Sequence, residues 1–431
     1  MDLMSEGQWK RWDVDSRLRA GKLTMAQAAL VLALSVRQVR RLRDRVAMEG
    51  RRALRHRNTG RVPVHALGAG VRTRIVRLRR EKYRDFNDAH FAEKLATETP
   101  PLRVSVATVR RLLRAAGVPA VWHRRPRRHR KRRERKAQAG LMLLWDGSRH
   151  DWLEGRGPWL CLVGAIDDAT GELLPGAHFV DQECAAAYLR VLHAIASTCG
   201  LPGSIYMDQH GALKRNDDHW TLAEELRGRQ DPTQVGGALE ALAIACIYAL
   251  SPQAKGRVER LWGTLQDRLT SELRLAQART VAEANAVLAG YRLDHNRRFA
   301  VRPHDATAAW RPVRSGLDLE RICSFRYEAT VLNDNTVRLG GTIVLDIPPR
   351  PRGRSWAGTR VEVRQLLDGT WRVYSGDRLI ATGPATTHGE LRALLHRRKR
   401  GRGAPVTPPV HASFAEGTPD HTEERPTCAT Q

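Results

Sequence analysis

The sequence predicts a multidomain chain: all-α helix-turn-helix units at the N-terminus, an α/β core in the middle and a small β-barrel towards the C-terminus. Three observations predict it. A length of 431 residues exceeds one ordinary domain and suits roughly three. The charge is lopsided: of a net +27, residues 1–140 supply +25 (37 Lys/Arg against 12 Asp/Glu), and the rest only +2 (36 against 34). The hydrophobic period also changes, from helical to mixed near residue 141 and to strand-like alternation near residue 327.

With 42% hydrophobic and 28% charged residues, the chain can bury real cores. A basic excess confined to one third is the footprint of an arm that docks on a polyanion; charge kept for solubility would be spread evenly. The longest apolar run, 241–250, falls short of the roughly 18 residues a membrane span needs. The N-terminus lacks the apolar stretch of a secretory signal, so a soluble, intracellular protein is expected. Six cysteines without close paired spacing indicate neither a zinc ribbon nor a disulfide framework.

Residues 24–46 read as two short helices with a tight break. Thr24 caps the first, which carries Met25, Ala28, Ala29 and Leu32 on its stripe. Ser35 caps the second, and Gln38 three residues on completes a capping box. Val36, Val39 and Leu42 are expected inside, with Arg37, Gln38 and Arg41 outside. Such a face suits base and phosphate contacts in a major groove; an ordinary helical hairpin with a solvated basic face is the alternative. A second unit of the same type follows, with a helix at 89–98, a Pro100-Pro101 break, and a Ser105-capped helix whose Arg110 and Arg111 lie near the surface. Residues 124–136 then hold ten Lys/Arg among thirteen, including Arg124, Arg125, Arg127, Arg128 and Lys131. This run cannot pack as a core element and reads as a linker that tracks phosphates.

From residue 141 a buried strand ends at Asp146, and a second strand turns through Asp167-Asp168 into a hairpin. A helix over 183–198, a strand 204–207 ending at Asp208, a fifth strand and a long helix from Ser251-Pro252 follow. That is the element order of a ribonuclease-H-like fold. After residue 327, short strands separated by Asn333-Asp334-Asn335, Asp368-Gly369 and Ser375-Gly376-Asp377 predict the barrel. The resulting boundaries are 1–60 and 61–120 for the helix-turn-helix units and 121–140 for the basic linker. The core takes 141–312, the barrel 320–385 and a disordered tail 397–431.

In such a sheet the first and fourth strands are neighbours, so Asp146 and Asp208 meet at one edge and the long helix brings Glu259. Three carboxylates without Cys or His suit hard divalent cations with oxygen ligands, Mg²⁺ or Mn²⁺. Two such ions per site, about 3.5–4 Å apart, serve a phosphodiester displacement. Lys255 lies one helical turn before Glu259, and Arg257 and Arg260 flank it, as expected where a phosphate backbone approaches. Acids at strand ends are commonly turn residues, however, and Asp151, Asp167, Asp168, Asp181 and Asp217 compete on spacing. Asp151 is the rival of Asp146.

The motifs WDGSRHDWLEGRGP (145–158), IDDATGEL (166–173), YMDQHGALKRND (206–217) and LSPQAKGRVERLWGTLQDRLTSELR (250–274) resemble ISNCY-type insertion-sequence transposases. These belong to the DDE transposase and retroviral integrase superfamily, and the resemblance spans roughly residues 20–380. It implies an integrase-type core in which Asp146, Asp208 and Glu259 are the three acids. It also implies double-stranded DNA partners (element ends and target), a homo-oligomer on DNA, and a place in the bacterial cytosol or nucleoid. The segment 214–230 lengthens the gap between the second and third acids beyond the compact integrase pattern. The reading is a transposase that binds terminal inverted repeats, cleaves the ends by metal-assisted hydrolysis and joins the 3′-hydroxyl to target DNA. The alternatives are a transposase-derived regulator that only binds DNA, and a metal-dependent nuclease without strand transfer.

Overall fold

The computed structural model describes residues 4–55, 66–121, 133–215, 220–249, 256–341, 343–386 and 391. Arg124, Arg125, Arg127, Arg128, Lys131, Asp217, Lys255 and the segment 397–431 lie outside the described residues. The chain divides into two compact units, Met1–Arg77 and Leu78–Gln431.

The first unit contains α1 (Glu6–Arg19), α2 (Met25–Leu32) and α3 (Val36–Glu49). The caps fall where the sequence puts them. Gln27 N–H donates to Thr24 Oγ1 at 3.3 Å, and Gln38 N–H to Ser35 Oγ at 3.2 Å. Ala33, between α2 and α3, takes a left-handed φ of 52°. Val14 of α1 joins Ala28, Ala29 and Val39 in the core, so a third helix, unread in the sequence, closes this unit. Val36 is a correction: it is 40% exposed, because the first turn of α3 projects past that core.

In the second unit, α5 (Asp88–Leu95) and α6 (Val106–Ala115) pack together through Phe91, Leu95, Val109 and Leu113. They precede a five-stranded sheet of order β3-β2-β1-β4-β5, made of β1 (Met142–His150), β2 (Leu160–Asp167), β3 (His178–Val180), β4 (Ser204–Met207) and β5 (Ala245–Tyr248). β1–β2 and β2–β3 are antiparallel; β1–β4 and β4–β5 are parallel. Side chains alternate faces along β1. Leu143 and Trp145 join the core under α7 (Ala185–Thr198) and α9 (Gln234–Ala241). Met142 and Leu144 join the opposite core under α10 (Val258–Leu275) and α11 (Val281–Phe299). Each fully buried leucine in these layers, such as Leu192 or Leu265, contributes about 1.5–3 kcal/mol.

The C-terminal strands depart from expectation. β6 (Phe325–Thr330), β9 (Arg360–Gln365), β10 (Trp371–Ser375) and β11 (Arg378–Gly383) form an antiparallel sheet of order β11-β10-β9-β6. β7 (Thr336–Leu339) and β8 (Ile343–Asp346) pair only with each other. Val337, Leu339, Ile343 and Leu345 bury against Val361, Val363, Trp371 and Val373. The ribbon therefore stacks on the sheet face instead of continuing its edge, and no closed barrel forms among the described residues.

Candidate active site

Asp146 does not end its strand. β1 stays paired with β2 through Asp146↔Gly164 as far as His150↔Leu160. What ends near Asp146 is the pairing with β4, whose last partners are Leu144↔Tyr206. Asp146 and Asp208 each stand two residues beyond those partners, Asp146 still inside β1 and Asp208 one residue past the end of β4. Asp146 shares strand parity with Met142 and Leu144, which face the α10 side.

Helix α10 confirms the direction of β1. Trp262 Nε1 donates to Asp146 Oδ2 at 2.9 Å, and Gln266 Nε2 to Ser148 Oγ at 3.1 Å. Four helical residues rise about 6 Å and two strand residues about 6.6 Å, so helix and strand run side by side in step. Glu259, three residues before Trp262, occupies the first turn of α10 and is exposed. Among the described residues no group of three or more His, Cys, Asp or Glu is arranged to hold a metal ion. Asp146, Asp208 and Glu259 thus form no three-acid cluster among the described residues. Asp146 and Asp208 are hard oxygen donors. The nearby His210 ring accepts from Ala212 N–H at 3.3 Å and faces Glu183, so it adds no soft ligand.

Three of the competing acids are engaged elsewhere. Asp151 Oδ1 accepts from Gly155 N–H at 3.1 Å, closing the turn after β1, and Asp181 is exposed. Asp167 is buried and accepts from Ala169 and Thr170 N–H (2.9 and 2.8 Å) and from Gly140 N–H at 2.7 Å. Asp168 is fully buried and binds Arg133 at 2.5 Å, the Lys136 N–H at 2.8 Å, and Arg257. Burial alone would raise its pKa. The hydrogen bonds from Arg257, Lys136 and Arg133 outweigh burial and hold the carboxyl below its ordinary value.

Several of the expected DNA-contacting residues have partners within the chain. Arg257 is committed to Asp168 and to the Arg133 carbonyl, because a buried carboxylate requires its charge. Arg110 lies 3.3 Å from Asp88 and shares it with Arg114. Gln38 uses its side-chain oxygen to cap α3, accepting from Ser35 N–H at 2.9 Å. Arg37, Arg41, Arg111 and Arg260 are exposed. Gln38 and Arg41, with Arg11 and Arg45, line a cleft of about 600 Å³ beside α3.

No motif or spacing marks Glu183. Its carboxylate accepts the Tyr188 hydroxyl at 2.5 Å. Tyr188 is pushed well above its ordinary pKa by burial, then by Glu183, Asp146 and Asp208. Cys161 rises to about 12 from burial, then from Glu183 and Asp146. Three carboxylates therefore act on one buried phenol.

No protein-family model matches the chain. It is 37% identical over 355 residues to "Putative transposase y4bF" of Sinorhizobium fredii, covering 78% of this chain and 75% of that protein. It is 33% identical over 324 residues to the transposase for insertion sequence IS1202 of Streptococcus pneumoniae, covering 67% and 68%. The chain belongs to the insertion-sequence transposases. Among solved structures, it is similar to the simian T-cell lymphotropic virus intasome in complex with PP2A regulatory subunit B56 gamma. That match has 14% identity and a TM-score of 0.30, covering 68% of this chain and 99% of that one. The HTLV-2 integrase catalytic core domain in complex with magnesium, in its dimeric form, matches at 15% identity and a TM-score of 0.24, covering 35% and 86%. Likeness at that level carries no argument about fold or chemistry.

Proposed function

We propose that the chain is a DDE transposase with a ribonuclease-H-like core. It grips the terminal inverted repeats of its element through the helix-turn-helix units and basic linker, cleaves the ends by hydrolysis, and joins the freed 3′-hydroxyl to target DNA. The observation that carries this reading is the register of β1 and β4, which leaves Asp146 and Asp208 each two residues beyond the Leu144↔Tyr206 pair. Trp262 of the same helix as Glu259 holds the first acid. The paired carboxylates suit Mg²⁺ or Mn²⁺, with Glu259 as the third acid closing the site on two ions. Bound there, the cations would stabilise charge on the reacting phosphate and activate the attacking oxygen.

The protein's own part is positioning. Trp262 fixes the rotamer of Asp146, and the backbone N–H of His210 donates to Asp208 Oδ1 at 3.0 Å. Exposed Arg260 beside Glu259 offers charge to an approaching phosphate backbone. Holding two ends at once requires a homo-oligomer on DNA. No described helix is long and apolar enough to cross a membrane, and we place the reaction in the bacterial cytosol.

Asp146→Asn, Asp208→Asn and Glu259→Gln are each expected to abolish cleavage and joining of end DNA while leaving end binding nearly intact. Wild-type cleavage by Asp146→Asn would sink this reading.

A further inference from the structure

β1 presents Asp146 and Gly147 to opposite faces, and the side behind the acid pair is occupied. A Cβ on Gly147 would stand 2.5 Å from Glu183 Oε2, so the carboxylate fills the volume that any side chain at 147 would take. Its Oε1 accepts the Tyr188 hydroxyl at 2.5 Å and lies 3.6 Å from His210 Nδ1. Tyr188 is fully buried and stacks on Trp145, the neighbour of Asp146, with ring centroids 5.4 Å apart. His210 in turn supplies the N–H that Asp208 accepts. One side chain thus touches the strand beside the first acid and faces the loop that orients the second.

We propose that Glu183 is a positioning residue for the acid pair: wedged behind Gly147 and tied to Tyr188, it sets the placement of Asp146 relative to Asp208 without binding metal itself. The inference rests on the reading of Asp146 and Asp208 as metal-holding acids. One observation keeps Glu183 out of a ligand role: it approaches behind Gly147, beside Cys161 of the core under α7, on the side opposite Asp146. Removing it opens space behind β1, strips the buried Tyr188 hydroxyl of its acceptor and frees the His210 loop. Outer partners of this kind act mainly on metal affinity.

The test uses the full chain, with Mn²⁺ binding followed by the paramagnetic resonance of free Mn²⁺ and end cleavage measured against Mn²⁺ concentration. Glu183→Ala is expected to weaken Mn²⁺ binding about tenfold or more, with kcat largely recovered at saturating Mn²⁺. Glu183→Gln keeps the volume and an acceptor for Tyr188, and is expected to bind Mn²⁺ as wild type does. Gly147→Ala should reproduce Glu183→Ala, and the double variant should be no worse than either single one. Wild-type Mn²⁺ binding by Glu183→Ala overturns the proposal. So does equal loss in Glu183→Gln and Glu183→Ala, which would make the carboxylate a direct ligand. Thermal melting identifies any variant that fails to fold; should Gly147→Ala be one, the two Glu183 variants decide. Asp146→Asn separates the two ideas, since wild-type Mn²⁺ binding and cleavage there would sink the site itself, whatever Glu183 does.

Discussion

The indole Nε1 of Trp262 donates to Oδ2 of Asp146 at 2.9 Å, joining the helix that carries Glu259 to the strand that carries the first acid. Trp262→Phe keeps most of the buried ring and deletes the donor. End cleavage is expected to fall about 10- to 100-fold, with end binding and melting temperature nearly unchanged. Unaltered cleavage would show that the bond orients nothing.

Asp168 ties three segments together: the end of the basic linker, the turn after β2 and the start of α10. Asp168→Ala leaves Arg133 and Arg257 without their common anion. Breaking a buried pair costs about 3–5 kcal/mol, but Arg133 reaches water, so about 2–3 kcal/mol is expected in urea unfolding. A loss below about 0.5 kcal/mol, the scale of an exposed pair, would demote the cluster to a surface feature.

His295 lies buried in α11 between the rings of Tyr291 and Phe299. Burial, then nearby Arg268, lowers its pKa from 6.5 to about 4. The unfolded chain therefore takes up this proton first as pH falls. The corresponding stability is intact above pH 6.5 and is lost progressively towards pH 4, up to about 3 kcal/mol. His295→Phe keeps the aromatic stack and should flatten this part of the stability–pH curve. An unchanged curve would refute the assignment.

Arg37 and Arg41 stand exposed on α3, whose Ser35 cap fixes the helix start. Replacing both with Ala is expected to lower discrimination between end and random DNA more than total affinity. Binding measured across salt concentrations should lose about 0.9 of log–log slope for each phosphate contact removed. Equal loss on both DNAs would assign α3 to backbone contacts alone.

Local chemistry made part of this molecule legible in its sequence. The Thr24 and Ser35 caps and the Leu261–Leu265–Leu269–Leu273 stripe each follow from short-range spacing. Two features of the strands do not. β1 outlasts Asp146 because β2 keeps pairing with it, a long-range fact with no local signature. The stacking of β7–β8 on the C-terminal sheet is likewise decided by which faces bury, and alternation alone reads the same in a barrel. Glu183 was illegible for a third reason. Its role depends on an absent side chain at Gly147, 36 positions upstream on another element.

The alternation along β1 also constrains how this chain tolerates changes in length. Length changes between Met142 and Trp145 are read modulo two. Loss of one residue would turn the first acid towards the Tyr188 layer and swing the bare glycine position to the α10 side. Loss of two would keep the acid on its proper face but draw it about 6.6 Å along the strand, out of level with Asp208. Substitutions at Leu143 or Leu144 leave both face and level intact. A point change in this strand therefore costs packing but keeps face and level, whereas a single in-frame codon deletion loses one or the other.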